Sequence, residues 1–297
     1  MLAGALLAMH FTVLIVVPLS GMPPILAAAC LTVLALAGPT QWALIHEAIH
    51  GMLLPQRGAN HVLGRVLADC FGAPFRALRF AHLRHHRYNR TPQGREEIYD
   101  PEVCSRSAAF VQHYLRIGIG LYAGELTLNF LCWLPPRLLR PHLRRLCPDF
   151  ADGTPGMARI AERELLDHAA LREMRVDAFL VLGLYAIAFA LYAEHWPQLL
   201  AFLALRGFLA SQFDHAPHHA TPLDLRDYAL NMRAPRWLGA WLLNFNLHRA
   251  HHLHPNLPWN GLPRVATFES GDIGFVRAVL RQWRGPIAVG KNSATVR

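Results

Sequence analysis

Long apolar runs alternate with polar, histidine-rich segments along this chain of 297 residues. Four runs are mostly apolar, and they comprise residues 2–19, 25–50, 176–193 and 198–213. A helix of about 20 apolar residues is long enough to cross a hydrocarbon core. Short turns at residues 20–24 and 194–197 join the runs in pairs. The pattern therefore predicts an all-α integral membrane fold with four transmembrane helices in two hairpins.

The segments outside the hairpins are basic. The net charge is +9, yet residues 1–50 and 176–205 contain no lysine or arginine, whereas residues 51–175 contain 18 of the 29. Basic residues gather on the cytoplasmic side of membrane proteins. We therefore place residues 51–175, residues 214–297 and both termini in the cytoplasm. The distribution of basic residues indicates the membrane topology and contact with membrane lipids. No nucleic acid partner is expected.

We expect a single domain over residues 1–297, in which several segments need separate treatment. Residues 110–134 have the length of a span but carry a histidine, an arginine and a glutamate, so we place them in the interface or in a partly embedded helix. Residues 51–80 should form an interfacial amphipathic element, and residues 287–297 a disordered tail. Arg206, inside the fourth apolar run, is costly in lipid and should face protein or a polar cavity.

Histidines cluster where the apolar runs meet the polar segments, and 11 of the 18 fall in four short clusters. The clusters are His46 and His50; His82, His85 and His86; His215, His218 and His219; and His248, His251 and His252. Spacings of three and four residues place side chains on one face of a helix. Neutral imidazole is the commonest side-chain metal ligand, and this many nitrogens suit two ions better than one. If both hairpins open to the same side, a cytoplasmic helical cap carries all the clusters.

Three polar residues stand close to these histidines. Glu47 lies within the first cluster, Asp214 precedes His218 by four residues, and Asn244 precedes His248 by four. A group that hydrogen-bonds the second ring nitrogen of a ligating histidine fixes its tautomer and orientation. We predict that Glu47, Asp214 and Asn244 support the metal-binding rings in this way.

Imidazole binds zinc, copper, iron and nickel, so the ligand type alone leaves the metal open. The sequence HEAIH at residues 46–50 also matches the HExxH motif of zinc proteases, in which Glu47 would be the general base. A metal transporter is another alternative, although transporters place their ligands near the bilayer midplane in broken helices. Here the clusters lie beyond the predicted spans.

The clusters resemble the three histidine boxes of the membrane fatty acid desaturase and hydroxylase superfamily, with HxxxH at residues 46–50 and HxxHH at residues 82–86 and 248–252. The similarity extends over about residues 40–262, and the sequence HPNLPWNGLP that follows the third box also resembles bacterial members, which implies a bacterial inner membrane. The resemblance implies a non-haem di-iron centre, O2 as co-substrate and attack on an aliphatic C–H bond. The ligands that it implies are His46, His50, His82, His85, His86, His218, His248, His251 and His252.

One ligand position departs from the superfamily pattern. A further histidine before the third box corresponds to His218 or, less closely, to His219. The asparagine that precedes it in the superfamily is replaced here by His215. Whether His215 and His219 ligate iron, hold a water molecule or do neither stays open at this point.

The resemblance favours a fatty acid desaturase that acts on a fatty acyl chain. A related hydroxylase, a carotenoid ketolase and an alkene-forming fatty acid decarboxylase are close alternatives. The chain contains no HPGG-like haem module and no ferredoxin-type cysteine run, so electrons should come from an external donor. An acidic ferredoxin or a similar carrier could dock on the arginine-rich face, or these arginines could simply contact lipid headgroups.

Overall fold

The computed structural model describes residues 1–91, 94–146, 157–223, 225 and 227–289. The described residues are mostly helical. Their helices are α1 (Leu2–Leu19), α2 (Pro24–Ile49), α3 (Arg57–Phe71), α4 (Phe75–Tyr88), α5 (Arg106–Leu115), α6 (Leu121–Leu131), α7 (Pro136–Leu146), α8 (Met157–Leu166), α9 (His168–Tyr192), α10 (Trp196–His215), α11 (Arg236–Trp241), α12 (His248–Leu253), α13 (Leu262–Val265) and α14 (Phe275–Gln282). Two short strands, β1 (Ile98–Tyr99) and β2 (Ile287–Ala288), complete the fold.

Three segments are long and apolar enough to cross a membrane, namely α1, α2 and the 48-residue run His168–His215. The last run is two helices, since α9 ends at Tyr192 and the next residue, Ala193, has φ 43° and ψ −116°. Arg206 of α10 donates to the Tyr185 hydroxyl of α9 at 2.8 Å, although 21 residues of straight helix would span about 31 Å. The chain therefore reverses between α9 and α10. Four membrane crossings in two hairpins stay a prediction.

Within residues 51–80, α3 runs back alongside α2, and the interfacial position predicted for this segment stays a prediction. Gln41 donates to the Leu67 carbonyl at 2.8 Å, and Asn60 donates to the Ala48 carbonyl at 2.8 Å. Gly64 permits this packing, since a Cβ there would lie 2.7 Å from that of Ala48. The amphipathic pattern of α3 thus serves helix packing.

Residues 106–131 form one helical run with a π-helical turn at Arg116–Gly120 between α5 and α6. The run first follows α10, where Gln212 donates to the Ile117 carbonyl and Gly207 faces Tyr122. It then turns towards the start of α9, where Arg175 donates to the Cys132 carbonyl at 2.9 Å. Such a path suits the partly embedded helix predicted for residues 110–134, whose depth in a bilayer stays a prediction.

Arg206 is fully buried and faces protein, as predicted. Its guanidinium donates to the carbonyls of Cys70 and Phe71, at 3.1 and 3.0 Å, and to His10 Nε2 at 3.0 Å. Those carbonyls end α3, where the helix dipole is negative. The cation is therefore stabilised by the C-terminus of a helix.

The prediction of a disordered tail over residues 287–297 is wrong for its first residues. β2 pairs in parallel with β1, and the amides of Ile287 and Val289 donate to the carbonyls of Glu97 and Tyr99 at 2.8 Å. A strand of two residues has no pattern that a sequence could reveal. The rest of the predicted tail, residues 290–297, lies outside the described residues.

Candidate metal centre

The structure brings nine histidines into two adjacent groups, and they come from α2, α4, α12 and the residues that follow α2 and α10. Within each group, one ring nitrogen per residue lies within 4.8 Å of all the others. The first group is His46, His50, His82, His86 and His251, and the second is His85, His218, His248 and His252. These are the nine residues that the superfamily resemblance implied.

Helical geometry explains how α4 supplies both groups. Residues i and i+4 lie about 40° apart around a helix, whereas i+3 and i+4 lie about 100° apart. His82 and His86 therefore point to the first group, and His85 points to the second.

Helix α12 divides its histidines in the opposite sense. Here His248 and His252 belong to the second group, and His251 belongs to the first. Across the two groups, the rings of His86 and His252 stack with their centroids 4.3 Å apart. The two HxxHH sequences thus face each other and together build both groups.

The nitrogens within each group are spaced as ligands of one ion would be. His82 Nε2 lies 3.0 Å from both His50 Nε2 and His86 Nε2, and His251 Nε2 lies 2.9 Å from His86 Nε2. Two nitrogens bound at about 2.1 Å to one transition metal at right angles would lie about 3.0 Å apart. The distances between nitrogens in the first group therefore match those expected between neighbouring ligands of one metal ion.

The second group has the same spacing. His252 Nε2 lies 3.3 Å from His85 Nε2 and 3.2 Å from His248 Nε2. Hydrogen bonds alone do not explain such contacts, because each Nε2 carries at most one proton and faces two neighbours in His82, His86 and His252. His218 is buried, and neither of its ring nitrogens has a hydrogen-bond partner among the described residues. Unpaired buried polar atoms of this kind suit a bound cation.

Burial keeps these imidazoles neutral. It lowers the pKa of His82, His86 and His251, and positive charge on neighbouring histidines would lower it further. The pKa of His85 falls to about 4, again chiefly because of burial. Neutral imidazole is the form that ligates metals, so both groups are ready to bind at neutral pH.

Comparison with protein families agrees with this geometry. The family model described as fatty acid desaturase matches residues 23–279, which include both groups. The chain belongs to the fatty acid desaturase family. A comparison with individual curated proteins gives no match. Membership implies an oxidoreductase of the integral membrane type that acts on lipid and receives electrons from a redox partner.

His215 and His219, whose role as ligands the sequence leaves open, lie outside both groups of this family member. His215 Nδ1 lies 3.0 Å from the Gln282 side-chain oxygen, and His219 Nε2 lies 3.0 Å from the Gly285 carbonyl. With His113 they form a triangle of rings whose centroids are 5.4 to 5.7 Å apart. These contacts attach the segment around α14 to the end of α10.

The predicted support of histidine rings by Glu47 and Asn244 stays a prediction, and the contacts described for these two side chains are with Trp259. Glu47 accepts the backbone amide of Trp259 at 3.2 Å, and Asn244 donates to the Trp259 carbonyl at 3.1 Å. The two side chains thus hold both backbone groups of one residue. They connect the first and third boxes through the segment that follows α12, a path that helical spacing does not reveal.

Asp214 does not bond His218, because neither nitrogen of that ring has a hydrogen-bond partner in the part of the chain that the structure describes. The carboxylate instead lines a small cavity with His85, His218, Glu96 and Glu97. Four residues separate Asp214 from His218 in the sequence, but α10 ends at His215. The i, i+4 geometry assumed for this pair is therefore not present.

Two buried arginines that the sequence did not single out position the histidine segments. Arg90 pairs with Glu97 at 2.8 Å and donates to the His218 carbonyl at 3.2 Å. Arg249, between His248 and His251, is bidentate on Asp272 at 2.7 and 3.1 Å. Position within a histidine box is the one signal that could have drawn attention to Arg249.

A cavity of about 510 Å³ opens beside the first group, and His50 contributes to its wall. Arg57, Arg76 and Arg79 also line it. Arg76 pairs with Glu173 at 2.8 Å, whereas Arg57 and Arg79 form no ion pair with any residue that the structure describes. The opening is therefore cationic.

Proposed function

We propose that this protein is a fatty acid desaturase in which the nine histidines hold two iron ions, one in each group. The observation that carries the proposal is the pair of all-imidazole groups built jointly by α4 and α12. Two bound irons would supply, with O2, the oxidising power needed to remove hydrogen from an unactivated carbon. Removal of a second hydrogen from the neighbouring carbon gives the alkene.

The protein's own residues hold the ligands in place and limit the entry of water. All ligand candidates are neutral, so bound ions would keep their positive charge. The ring of Phe245 packs against the first and third boxes. Its centroid lies 5.2 Å from that of His46 and 4.6 Å from that of His248. An apolar ring at this junction reduces the access of water to the groups.

The cationic opening beside His50 supports an acyl substrate with an anionic end. A carboxylate or phosphate would pair with Arg57 and Arg79, while a neutral carotenoid would gain nothing from these side chains. This favours a fatty acyl chain over the substrate of a carotenoid ketolase. A hydroxylase and an alkene-forming decarboxylase share the same requirement and remain the alternatives.

A zinc protease fits the site less well. A catalytic zinc site has three protein ligands and one open position, whereas His46 and His50 share their group with three more imidazoles. Glu47, which would have to activate water, accepts the Trp259 amide instead. A transporter fits less well because the groups lie at the ends of α2 and α10, away from the middle of the apolar helices.

Metal analysis of the purified protein tests the di-iron assignment. We expect about two irons per chain, one chelating group for each ion. His86→Ala and His252→Ala remove one candidate ligand from the first and second group, and each should lower the iron content by at least half. His254→Ala is the matched control, since His254 is exposed and lies outside both groups. One zinc per chain that survives His252→Ala would contradict the proposal.

Lipid profiling distinguishes the possible products. Cells that express the chain with a suitable reductase, such as a ferredoxin and its reductase, should gain a double bond at unchanged carbon number. A hydroxylated chain would indicate the hydroxylase. A terminal alkene shorter by one carbon would indicate the decarboxylase.

A further inference from the structure

Another cavity lies away from the histidine groups. It is a groove of about 720 Å³ between α11 and α14. Its apolar wall includes Leu238, Ile273, Phe275, Val276 and Leu280, and its polar wall consists of Arg233, Arg277, Arg281 and Arg284. None of the nine histidines contributes to it.

The groove is strongly cationic. Its lining contains four arginines and no carboxylate. Arg281 donates to the His219 carbonyl, but Arg233, Arg277 and Arg284 form no ion pair within the described part of the chain. Clustered guanidinium groups repel one another, so an anion would relieve an unfavourable arrangement.

The surface around the groove is apolar as well as basic. Helix α14 buries Phe275, Ala278 and Gln282 but leaves Val276 and Leu280 65% and 63% exposed. On α11, Trp237 is 71% exposed. A helix with separate arginine and apolar stripes is typical of the membrane interface.

The groove also lies beside a helix that is apolar enough to cross the membrane. Trp241, at the end of α11, donates from its ring nitrogen to the Leu36 carbonyl of α2 at 2.9 Å. Leu36 lies near the middle of the apolar segment Pro24–Ile49. One side of α11 is therefore fixed against a segment that is long and apolar enough to cross a membrane.

We propose that the groove between α11 and α14 binds an anionic phospholipid. The phosphodiester pairs with Arg233, Arg277 and Arg284, and an acyl chain lies along Leu238 and Leu280. A free phosphate would use the arginines but would leave the apolar wall exposed. A zwitterionic lipid would use the apolar wall but would bring its own cation to the arginines. This site is separate from the substrate path and does not depend on the desaturase assignment.

Lipid binding to the full-length protein tests the proposal. In a neutral detergent, phosphatidylglycerol should bind at about one molecule per chain and should raise the melting temperature. Phosphatidylcholine and inorganic phosphate at the same concentration should do neither. Native mass spectrometry counts the bound lipid, and thermal unfolding measures the stabilisation.

The double variant Arg277→Ala/Arg284→Ala should weaken phosphatidylglycerol binding by at least about tenfold. Arg137→Ala/Arg264→Ala removes the same charge from exposed arginines elsewhere and should bind like the unmodified protein. Leu280→Gln changes an exposed side chain and leaves the charge unchanged. It should weaken the binding of phosphatidylglycerol. Equal binding by both double variants, or protection by phosphate equal to that by the lipid, would overturn the proposal.

Discussion

At the scale of single residues, the ligand candidates depend on neighbours that touch no metal position. Arg249 is 3% exposed within α12, and its guanidinium is held by Asp272. Asp272 also accepts the backbone amide of Asn231 at 2.9 Å, and the Asn231 side chain accepts the Ala250 amide at 3.1 Å. The six residues of α12 are too few to be stable alone. This network is what keeps His248, His251 and His252 in a helix.

Asp272→Ala should therefore destabilise the protein although it removes no ligand candidate. It leaves Arg249 buried without its bidentate partner, at a cost of about 3 kcal/mol or more. We expect a lower melting temperature and a loss of bound iron, measured on the purified protein. Glu269→Ala is the matched control, because Glu269 contacts the same guanidinium at 3.2 Å but is 53% exposed. Its effect should stay below about 1 kcal/mol, and equal losses from the two variants would contradict the role given to Asp272.

The neutral, buried histidines also make the stability of the metal-free protein dependent on pH. Burial lowers the pKa of His85 and His219 to about 4, from an ordinary value of 6.5. Between about pH 4 and pH 6.5 the unfolded chain binds more protons than the folded one, so the free energy of unfolding falls as the pH falls. Above pH 6.5 both states are neutral at these residues and the effect disappears.

We expect the melting temperature of chelator-treated protein to decrease steadily from pH 6.5 to pH 4 and to change little between pH 7 and pH 8. Iron-loaded protein should keep its melting temperature to a lower pH and then lose stability together with the metal. A metal-free protein whose melting temperature is constant from pH 6.5 to pH 4.5 would show that these rings are not buried in the neutral form.

At the scale of elements, α2, α3 and α4 form the support of the first group. The closest approach is at Gly64 of α3, where a Cβ would lie 2.7 Å from that of Ala48 and 2.9 Å from the ring of Phe75. Ala48 lies between His46 and His50, and Phe75 begins the helix that carries His82. A single glycine thus controls the distance between the first two boxes.

Gly64→Ala should separate these helices and destabilise the protein by about 1–3 kcal/mol, through overpacking. Gly58 lies six residues earlier on the same helix, and none of the neighbouring atoms described lies within 4 Å of its Cβ position. Gly58→Ala should therefore be neutral or stabilise by up to about 1 kcal/mol, because alanine loses less backbone entropy in a helix. Thermal unfolding compares the two variants, and a Gly64→Ala protein as stable as Gly58→Ala would refute the close packing.

Regular helical spacing is also what made eight of the nine histidines visible in the sequence, whereas His218 was implied by the resemblance to the superfamily. Positions i, i+3 and i+4 mark one face of a helix by their spacing alone, and two such faces must meet if each is to complete a coordination shell. Side chains that act across loops could not be found in this way. Glu47 and Asn244 both bond Trp259, and that meeting depends on the path of the segment after α12.

The surroundings of isolated residues could not be predicted from the sequence either. His10 and His113 belong to no histidine cluster in the sequence, yet both are buried. His10 contacts the Arg206 guanidinium, and His113 contacts the Gln282 carbonyl. The hairpin of α9 and α10 was expected from the turn at residues 194–197, while the packing of α3 against α2 was not. An amphipathic pattern indicates that one face is buried, but it does not say whether protein or a membrane surface covers that face.

At the scale of the whole molecule, the two groups require both helical hairpins to open towards one side. His46 and His50 lie at the end of α2, and His218 follows the end of α10. Both ends contribute to one pair of adjacent groups. If each hairpin crosses the bilayer twice, its turn must lie on the far side, at Ser20 for the first hairpin and at Glu194 for the second.

Cysteine labelling tests this topology directly. In a background without the native cysteines, Gln56→Cys and Asn260→Cys should react with a membrane-impermeant maleimide only from the cytoplasmic side, whereas Ser20→Cys and Glu194→Cys should react only from the opposite side. All four positions are exposed in the fold, so accessibility reports the membrane and not burial. Labelling of Gln56→Cys and Asn260→Cys from opposite sides could not be reconciled with groups that draw on both hairpins. Labelling of Ser20→Cys and Asn260→Cys from the same side would mean that the first hairpin does not cross, and the four-span topology would have to be given up even if the histidine groups hold iron.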